Sequence, residues 1–229
     1  MHIITDLYEV ESCRTVLTET FINNKRKWEE VNIASEKAIV KDGCYWMSNT
    51  SKSSWNYYKT KVPLKKGEDF LIETIVELEK REDVYGHFGL VWGFDEDRKF
   101  LNRFTLSADG KRALIMHFEK DHNRIFHRFQ NRKLPKFDLK KPIHFSIIKL
   151  GEYFHFLINK QKVYMAHESV FSSNGVFAGY YIEPQLSMKS TFFEVKKIKL
   201  QAVEVITGMQ QLMITKPYLN LSDINSVLH

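Results

Sequence analysis

The sequence is poor in the residues that interrupt or crosslink a chain: its 229 residues include 5 prolines, 10 glycines and 2 cysteines. So few prolines and glycines exclude a collagen-like segment or a low-complexity linker. Apolar runs stay well below the roughly 18 residues of a membrane-spanning helix, which predicts a chain without membrane attachment. The opening residues MHIITDLYEV lack the basic start and apolar stretch of a secretory signal peptide.

The two cysteines, Cys13 and Cys44, lie in a chain that shows no export feature. Proteins that stay in reducing compartments seldom form disulfides, so both residues are predicted to be reduced thiols. A disulfide between them is the less favoured alternative. The expected location of the protein is therefore cytoplasmic.

Basic residues outnumber acidic ones, with 34 Lys and Arg against 28 Asp and Glu, which gives a formal net charge of +6. This balance permits nucleic acid, anionic lipid or acidic glycans as partners but requires none of them. Basic pairs such as Lys65-Lys66 and Lys140-Lys141 fall at predicted turns and strand ends, where charge discourages edge-to-edge aggregation. The basic and aromatic segment 120–132 matches no nucleic-acid motif, so nucleic acid is disfavoured as a partner.

Apolar and polar residues alternate along most of the chain, and turn signals interrupt the alternation about every eight to twelve residues. In the segment 69–78, every second residue from Phe70 to Leu78 falls on one face. Asp109-Gly110 lies between two alternating runs, a strong signal for a hairpin. The pattern predicts about thirteen strands. The predicted fold class is all-β, a two-sheet antiparallel jelly-roll β-sandwich with short irregular or helical termini.

The chain divides into three predicted segments. Residues 1–20 form an N-terminal extension, in which 6–20 could be helical. Residues 21–200 form the β-sandwich domain. Residues 201–229 form a tail with an apolar patch at 209–214, which could pack on the sandwich, form an interface or lead into a partner domain.

An ordered series of short motifs runs along the sandwich segment. They are FINN with Trp28 at 21–28, AIVKDGCY at 38–45, FLIET at 70–74, GHFGLVWGF at 86–94, FHFLINKQ at 154–161 and GVFAG at 175–179. In this order they resemble the concanavalin A-like lectin/glucanase superfamily, in its laminin-G-like bacterial form. Lys160 stands where the hairpin motif usually has glycine. The resemblance implies the fold and leaves the function open, since members include lectins, glycan-binding modules, glucanases and accessory domains.

Catalytic signatures are incomplete. Glucanases of the superfamily carry Glu-x-Asp-x-Glu or Glu-x-Asp-x-x-Glu on one strand, whereas the segment 73–79 has Glu73, Glu77 and Glu79 but Ile75 at the central aspartate position. Gly-x-Ser-x-Gly and phosphate-binding glycine loops are also missing from the sequence. The chain is therefore predicted not to be an enzyme, with an atypical glycoside hydrolase as the alternative.

No cofactor or metal is expected, although two weak alternatives exist. Calcium could bind at 95–97 with Asp109, as in some laminin-G domains. If 121–123 form a three-residue loop, His117 falls opposite His127, and this pair with a third ligand could bind zinc.

Two sets of residues compete as the binding face. The first is aromatic, since indole and phenol rings stack on sugar rings: Trp46, Trp55 and Tyr57. The second is a polar, partly basic patch opposite the apolar sides of its strands: His87, Arg103, His117 and His127. Sequence alone does not choose between them.

The function expected from these observations is that of a non-catalytic, lectin-like binding module that recognises a glycan or a protein partner on one sheet face. One alternative is a regulatory or scaffolding domain of a bacterial intracellular system that assembles through its C-terminal tail. The other is the atypical glycoside hydrolase. The oligomeric state is left open.

Overall fold

The computed structural model describes residues 7–81, 85–94, 100–119, 124–131, 134–171 and 176–203. Within these ranges the chain forms fifteen β-strands, a one-turn 3₁₀ helix at Glu168–Val170 and no α-helix. All strand pairs are antiparallel and belong to two sheets. The prediction of an all-β, two-sheet jelly-roll sandwich is confirmed.

The larger sheet contains nine strands. They are β1 (Leu7–Glu19), β2 (Val31–Ile33), β3 (Glu36–Lys41), β4 (Cys44–Asn49), β6 (Asp69–Arg81), β11 (Ile143–Leu150), β12 (Tyr153–Ile158), β13 (Gln161–His167) and β15 (Leu186–Val203). Their order is β13-β12-β11-β6-β15-β4-β3-β2, with β1 also paired to β15. The 18-residue β15 pairs with β6 along one edge and with β4 and then β1 along the other.

The smaller sheet contains six strands. They are β5 (Asn56–Lys61), β7 (His87–Phe94), β8 (Phe100–Ser107), β9 (Ala113–Glu119), β10 (Arg124–Asn131) and β14 (Phe177–Ile182). Their order is β10-β9-β8-β7-β14-β5. The outer face of this sheet carries the site described below.

The core lies between the two sheets and is rich in aromatic rings. Trp28 has its ring centroid 5.2 Å from that of Tyr45, 5.4 Å from that of Tyr180 and 5.1 Å from that of Phe193. Each such ring removes about 150–250 Å² of surface from water, so the cluster is a main source of stability. Trp28 precedes β2, and its burial anchors the connection from β1 to the rest of the larger sheet.

A polar link crosses the core at its centre. The Tyr180 hydroxyl on the smaller sheet lies 2.9 Å from Thr74 Oγ1 and 2.7 Å from Ser190 Oγ on the larger sheet. All three residues are fully buried. Because buried polar groups are costly unless they are hydrogen-bonded, this triad fixes the registration of one sheet over the other.

The helix that the sequence allowed at residues 6–20 does not form. Residues 7–19 form β1, which pairs with β15 from Phe193 to Val203. This segment contains several β-branched residues, which favour strands, and Leu17 is 2% exposed because it faces the core. The neighbouring Glu19 accepts a hydrogen bond from the Phe21 amide and ends the strand.

Three further expectations concern the C-terminal tail, the two cysteines and membrane-spanning segments. Residues 204–229, including the apolar patch of the tail, lie outside the described residues. Cys13 and Cys44 are free thiols on β1 and β4. Among the described ranges no helix has the length and apolar character needed to span a membrane.

Candidate functional site

Alternation along the smaller sheet separates an inner from an outer face. On β7, Phe88, Leu90 and Trp92 belong to the main core, so His87 and Val91 point outward. The same phase places outward Tyr57 on β5, Arg103 on β8, Phe118 on β9 and Tyr181 on β14, as the cross-strand register requires.

Aromatic side chains from opposite sides of the smaller sheet converge on its outer face. Trp55 lies in the loop that precedes β5 and Phe118 lies in β9, with β14, β7 and β8 between them. Their ring centroids are nevertheless only 6.5 Å apart. The two rings therefore meet over the intervening strands, and we call the surface bounded by Trp55, Tyr181 and Phe118 the aromatic groove.

Two glycines allow neighbouring strands of the smaller sheet to approach closely. A Cβ at Gly179 on β14 would lie 1.9 Å from the Tyr58 carbonyl oxygen, and one at Gly89 on β7 would lie 2.4 Å from the Phe104 carbonyl oxygen. Both distances are impossible, so glycine is required where the neighbouring strand approaches. Gly89 pairs with Tyr181, so the floor of the aromatic groove beside that ring has no side chain.

Three aromatic rings stack at one side of the aromatic groove. The Trp55 ring centroid lies 5.7 Å from that of Tyr57 and 5.6 Å from that of Tyr181, with interplanar angles of 31° and 33°. Tyr181 is 1% exposed and Val91 is fully buried, whereas Trp55 is 41% exposed. The indole of Trp55 is thus the part of the stack that a ligand can reach.

A carboxylate at the end of β14 organises the polar side of the aromatic groove. Glu183 Oε2 accepts hydrogen bonds from the His87 amide at 2.9 Å and from the His87 ring at Nδ1 at 3.1 Å. Its Oε1 accepts a hydrogen bond from the Tyr181 hydroxyl at 3.1 Å and lies 3.5 Å from Arg103 Nη1. Burial disfavours the charged carboxylate, but the hydrogen bonds of His87 and the charge of Arg103 outweigh it and lower the pKa of Glu183.

Arg103 keeps unused hydrogen-bonding capacity in this network. Its guanidinium lies 4.4 Å from the ring centroid of Tyr181, in a cation–π contact. Nη2 lies 3.5 Å from the Met116 sulfur, a weak acceptor. The buried Nε of Arg103 has no hydrogen-bond partner among the residues that the structure describes. The aromatic groove therefore combines a stacking surface with a fixed cationic donor.

The structure regroups the residues that the sequence had placed in two competing sets. Trp55 and Tyr57 from the first set lie in the aromatic groove together with His87 and Arg103 from the second. Trp46 lies on the outer face of the larger sheet, in β4. The aromatic and the polar set are therefore not alternatives, because members of both lie on the same face of the smaller sheet.

The outward position expected for His117 is wrong. His117 shares the inner side of β9 with Ala113 and Ile115 of the main core and is 8% exposed. Its Nδ1 lies 2.7 Å from the Oδ1 of the fully buried Asn102. The sequence misled because β9 is apolar on both faces, with Leu114 and Met116 buried on the outer side.

His127 falls opposite His117 in the backbone register, as expected, but for a different reason. Arg124 pairs with Glu119 and not with Lys120. A register shift between Ile125 and His127 restores the pairing. The side chain of His127 lies outside the described residues, so the zinc alternative stays a prediction.

The acidic groups singled out by sequence lie away from the aromatic groove. Glu73 points outward from the larger sheet and lies 3.0 Å from His144 Nε2. Glu77 and Glu79 lie 3.0 Å and 2.7 Å from Lys189 Nζ. These carboxylates are held in ion pairs on the opposite side of the sandwich.

In the part of the chain that the structure describes, no three His, Cys, Asp or Glu side chains converge to form a metal site. Of the calcium alternative, residues 95–97 lie outside the described residues. Asp109 accepts hydrogen bonds from the Ser107 hydroxyl and the Lys111 amide, so its carboxylate closes the hairpin between β8 and β9.

Sequence reasoning missed Tyr181 and Glu183. Alternation in the segment 177–182 places Tyr181 outward, in phase with Phe177 and Gly179, and this signal was available. The role of Glu183 depends on β14 lying next to β7, which brings it to His87. That neighbour relation is not encoded in a local pattern.

No protein-family model matches the sequence, and no curated protein matches it either. Solved structures share its architecture. The CBM2 module of the evolved Dit of Lactobacillus casei BL23 phage J-1 has a TM-score of 0.54 and 13% identity, covering 82% of this chain and 96% of the module. A Bacillus subtilis protein of unknown function with a galectin-like fold has a TM-score of 0.57 and 12% identity, covering 84% of this chain and 99% of its own.

An endo-β-1,3-glucanase from Pyrococcus furiosus has a TM-score of 0.57 and 9% identity, covering 86% of this chain and 99% of its own. This likeness contradicts the prediction that the chain is not an enzyme, because the same architecture belongs to a glucanase and is consistent with enzymatic activity. The substitution of Ile75 for an aspartate was too narrow a basis for that prediction. At these identities the similarity concerns the fold alone. The chain has the concanavalin A-like jelly-roll fold that its sequence motifs resemble.

Proposed function

We propose that the chain binds a glycan in the aromatic groove of the smaller sheet. The observation that carries the proposal is the exposed indole of Trp55, stacked on Tyr57 and Tyr181 beside the network of Arg103 and Glu183. Sugar rings present an apolar C–H face that packs on aromatic rings and hydroxyls that need hydrogen-bond partners. The aromatic groove offers both types of contact side by side.

Each component has a distinct part in this proposal. The Trp55 indole supplies the stacking surface. Arg103, whose side chain is 12% exposed and held in place by Tyr181 and Glu183, donates hydrogen bonds to sugar hydroxyls through the accessible N–H groups of its guanidinium. Glu183 keeps the guanidinium oriented, so little conformational entropy is lost when the ligand binds.

The fold neighbours indicate which glycans to try first. One is a carbohydrate-binding module by name and another is an endo-β-1,3-glucanase. A glycan array that includes β-1,3-linked glucans is therefore the first experiment, followed by calorimetric titration of the strongest ligand. We expect binding to a defined set of oligosaccharides, and the absence of any bound glycan would contradict the proposal.

A matched pair of variants assigns the binding to the aromatic groove. Trp55→Ala removes the stacking surface and is expected to weaken binding by roughly 2 kcal/mol, about thirty-fold. Tyr153→Ala is the control, because Tyr153 is exposed to a similar extent, 43% against 41%, but lies on the larger sheet. Unchanged affinity in Trp55→Ala would remove the aromatic groove from the proposal. Chromatography of the same incubations reports any cleavage of the glycan.

A further inference from the structure

The outer face of the larger sheet carries its own aromatic position. Along β4, Tyr45, Met47 and Asn49 are buried in the core, and the intervening Trp46 points outward. Trp46 pairs with Ile39 on β3 and with Lys189 on β15. The indole therefore lies between an aliphatic side chain and an ammonium group, on the side of the sandwich away from the aromatic groove.

A cavity of about 370 Å³ opens beside this indole. Its apolar lining comes from Trp46 and Ile39, and its polar lining includes Lys37, Ser48, Ser187 and Glu79. Ligand sites of proteins commonly fall within about 300–1,000 Å³ and combine an apolar wall with a few converging polar groups. The cavity meets both criteria.

The polar groups beside the cavity are held in fixed positions. Ser48 Oγ and Ser187 Oγ lie 2.8 Å apart, so the two hydroxyls form one hydrogen-bonded pair across neighbouring strands. Glu79 is held at 2.7 Å by Lys189 Nζ, which also lies 3.0 Å from Glu77. The Lys189 ammonium lies 5.2 Å from the Trp46 ring centroid, but Lys189 does not line the cavity. The indole thus keeps another side available to a ligand.

We propose that the cavity beside Trp46 is a second glycan-binding site, independent of the aromatic groove. A pyranose ring packs on the indole and Ile39, while its hydroxyls bond to the serine pair and to the Glu79 carboxylate. The choice of ligand class rests on the function proposed above for the aromatic groove. The location of the second site rests on the cavity itself.

Two sites on opposite faces make one chain bivalent. Packed sheets lie about 10 Å apart, and each site adds a layer of side chains outside its own sheet. A short oligosaccharide cannot pass around the sandwich to fill both sites, so each site binds its own glycan chain. A bivalent module gains avidity on a polymer that presents many copies of the same unit.

Fluorine NMR of protein labelled with 5-fluorotryptophan separates the two sites. The chain has 4 tryptophans, and Trp28 and Trp92, each 2% exposed in the core, serve as internal references. Individual Trp→Phe variants assign the signals, and laminarihexaose, a β-1,3-linked glucose hexamer, is the titrated probe. We expect the Trp46 and Trp55 signals to shift to saturation while the two core signals stay in place.

Site variants then test independence. Trp46→Ala should leave the Trp55 shift unchanged, and Trp55→Ala should leave the Trp46 shift unchanged. Glu79→Gln, which keeps the indole, should weaken the response at Trp46 alone. Calorimetry should give two glycans bound per wild-type chain and one per single variant.

The outcomes distinguish the two proposals. A Trp46 signal that stays fixed while Trp55 saturates overturns the second site and leaves the aromatic groove intact. A response at Trp46 alone supports the second site and overturns the aromatic groove. If neither signal moves, both proposals are wrong.

Discussion

The two outer faces of the sandwich differ in the side chains that neutralise their carboxylates. On the larger sheet, charges neutralise each other across neighbouring strands, as where Lys189 lies between Glu77 and Glu79. On the smaller sheet, the one carboxylate among the described groove residues, Glu183, has Arg103 as one of its partners and lies beside fully buried side chains. The two faces thus neutralise their carboxylates differently, with lysine on the larger sheet and with arginine, histidine and tyrosine on the smaller sheet. The following four predictions test this comparison.

Gly179, where β14 approaches β5 closely, is expected to be the most sensitive position. In Gly179→Ala the new Cβ would meet the Tyr58 carbonyl oxygen at 1.9 Å, so the strands must separate. We expect a loss of at least about 3 kcal/mol in unfolding free energy. Gly67→Ala is the control, since Gly67 has a positive φ of 82° and nothing within 4 Å of an added Cβ. Its cost should be about 1–2 kcal/mol. Equal losses in urea denaturation would show that the close approach of β14 to β5 does not require glycine at position 179.

Acid should destabilise the fold through His155, an outward histidine on the larger sheet. His155 on β12 is 8% exposed, its Nδ1 has no hydrogen-bond partner among the described residues, and burial lowers its pKa to about 4. Unfolding lets it take up a proton near its ordinary pKa of 6.5. Its neutral form therefore stabilises the fold above pH 6.5, and this contribution is lost as the pH falls towards 4, in total about 3 kcal/mol.

The measurement is the unfolding free energy as a function of pH in His155→Leu. The variant should lose the part of the acid sensitivity that the wild type shows between pH 6.5 and 4. His167→Leu is the control, because the His167 side chain is 44% exposed and lies 3.6 Å from Glu152. A wild type and a His155→Leu variant with parallel pH profiles would contradict the assignment.

Loss of the Glu183 carboxylate should have an intermediate effect. Its lowered pKa means that the ionised form stabilises the fold above the ordinary value of 4.5, and that the stabilisation disappears as the pH falls through the lower folded-state pKa. Glu183→Gln should cost about 1–3 kcal/mol at pH 7, since His87 and Arg103 lose a charged acceptor. The difference in unfolding free energy between wild type and variant should become small at acidic pH. Glu11→Gln, in an exposed pair with Lys199, should cost little at any pH. A gap for Glu183→Gln that is independent of pH would refute the network.

The smallest effect on stability is expected for the ion pairs that Lys189 forms with Glu77 and Glu79 on the larger sheet. Lys189→Met keeps most of the aliphatic stem but removes the partner of Glu77 and Glu79. Pairs of this type near the surface contribute about 0–1 kcal/mol. The loss should shrink further as salt is added, because ions screen the charges. A loss above that of Glu183→Gln would reverse the comparison between the two faces.

Local patterns were sufficient to predict the strands and many of the faces. The alternation from Phe70 to Leu78 correctly separated the core side of β6 from the side that carries Glu73. Alternation failed on β9, where both faces are buried and the two phases look alike, so His117 was placed on the wrong side. It also failed to reveal β1, because irregularities between Val10 and Ser12 and between Thr15 and Leu17 interrupt the alternation and the pairing partner β15 lies near the other end of the chain.

The candidate site could be predicted only in part, because sequence periodicity indicates faces and not neighbours. Tyr57 and His87 lie on strands that are separated in sequence by the whole of β6. They share one sheet face only because β14 lies between β5 and β7. β14 in turn comes near the end of the chain and contributes Tyr181 to the same surface. The aromatic and polar sets therefore looked like alternatives in the sequence, although the sheet order joins them.

The position of β15 has a consequence for the order of events during synthesis. This strand occupies the middle of the larger sheet, between β6 and β4, yet it is the last described strand to leave the ribosome. Until it arrives, β11–β13 with β6 and β2–β4 form two partial sheets with a gap between them. β1 is the last strand to complete its pairing, since Leu7 pairs with Val203 at the end of β15. Pairings of such long sequence separation slow folding, so the larger sheet is expected to close only after translation has passed β15.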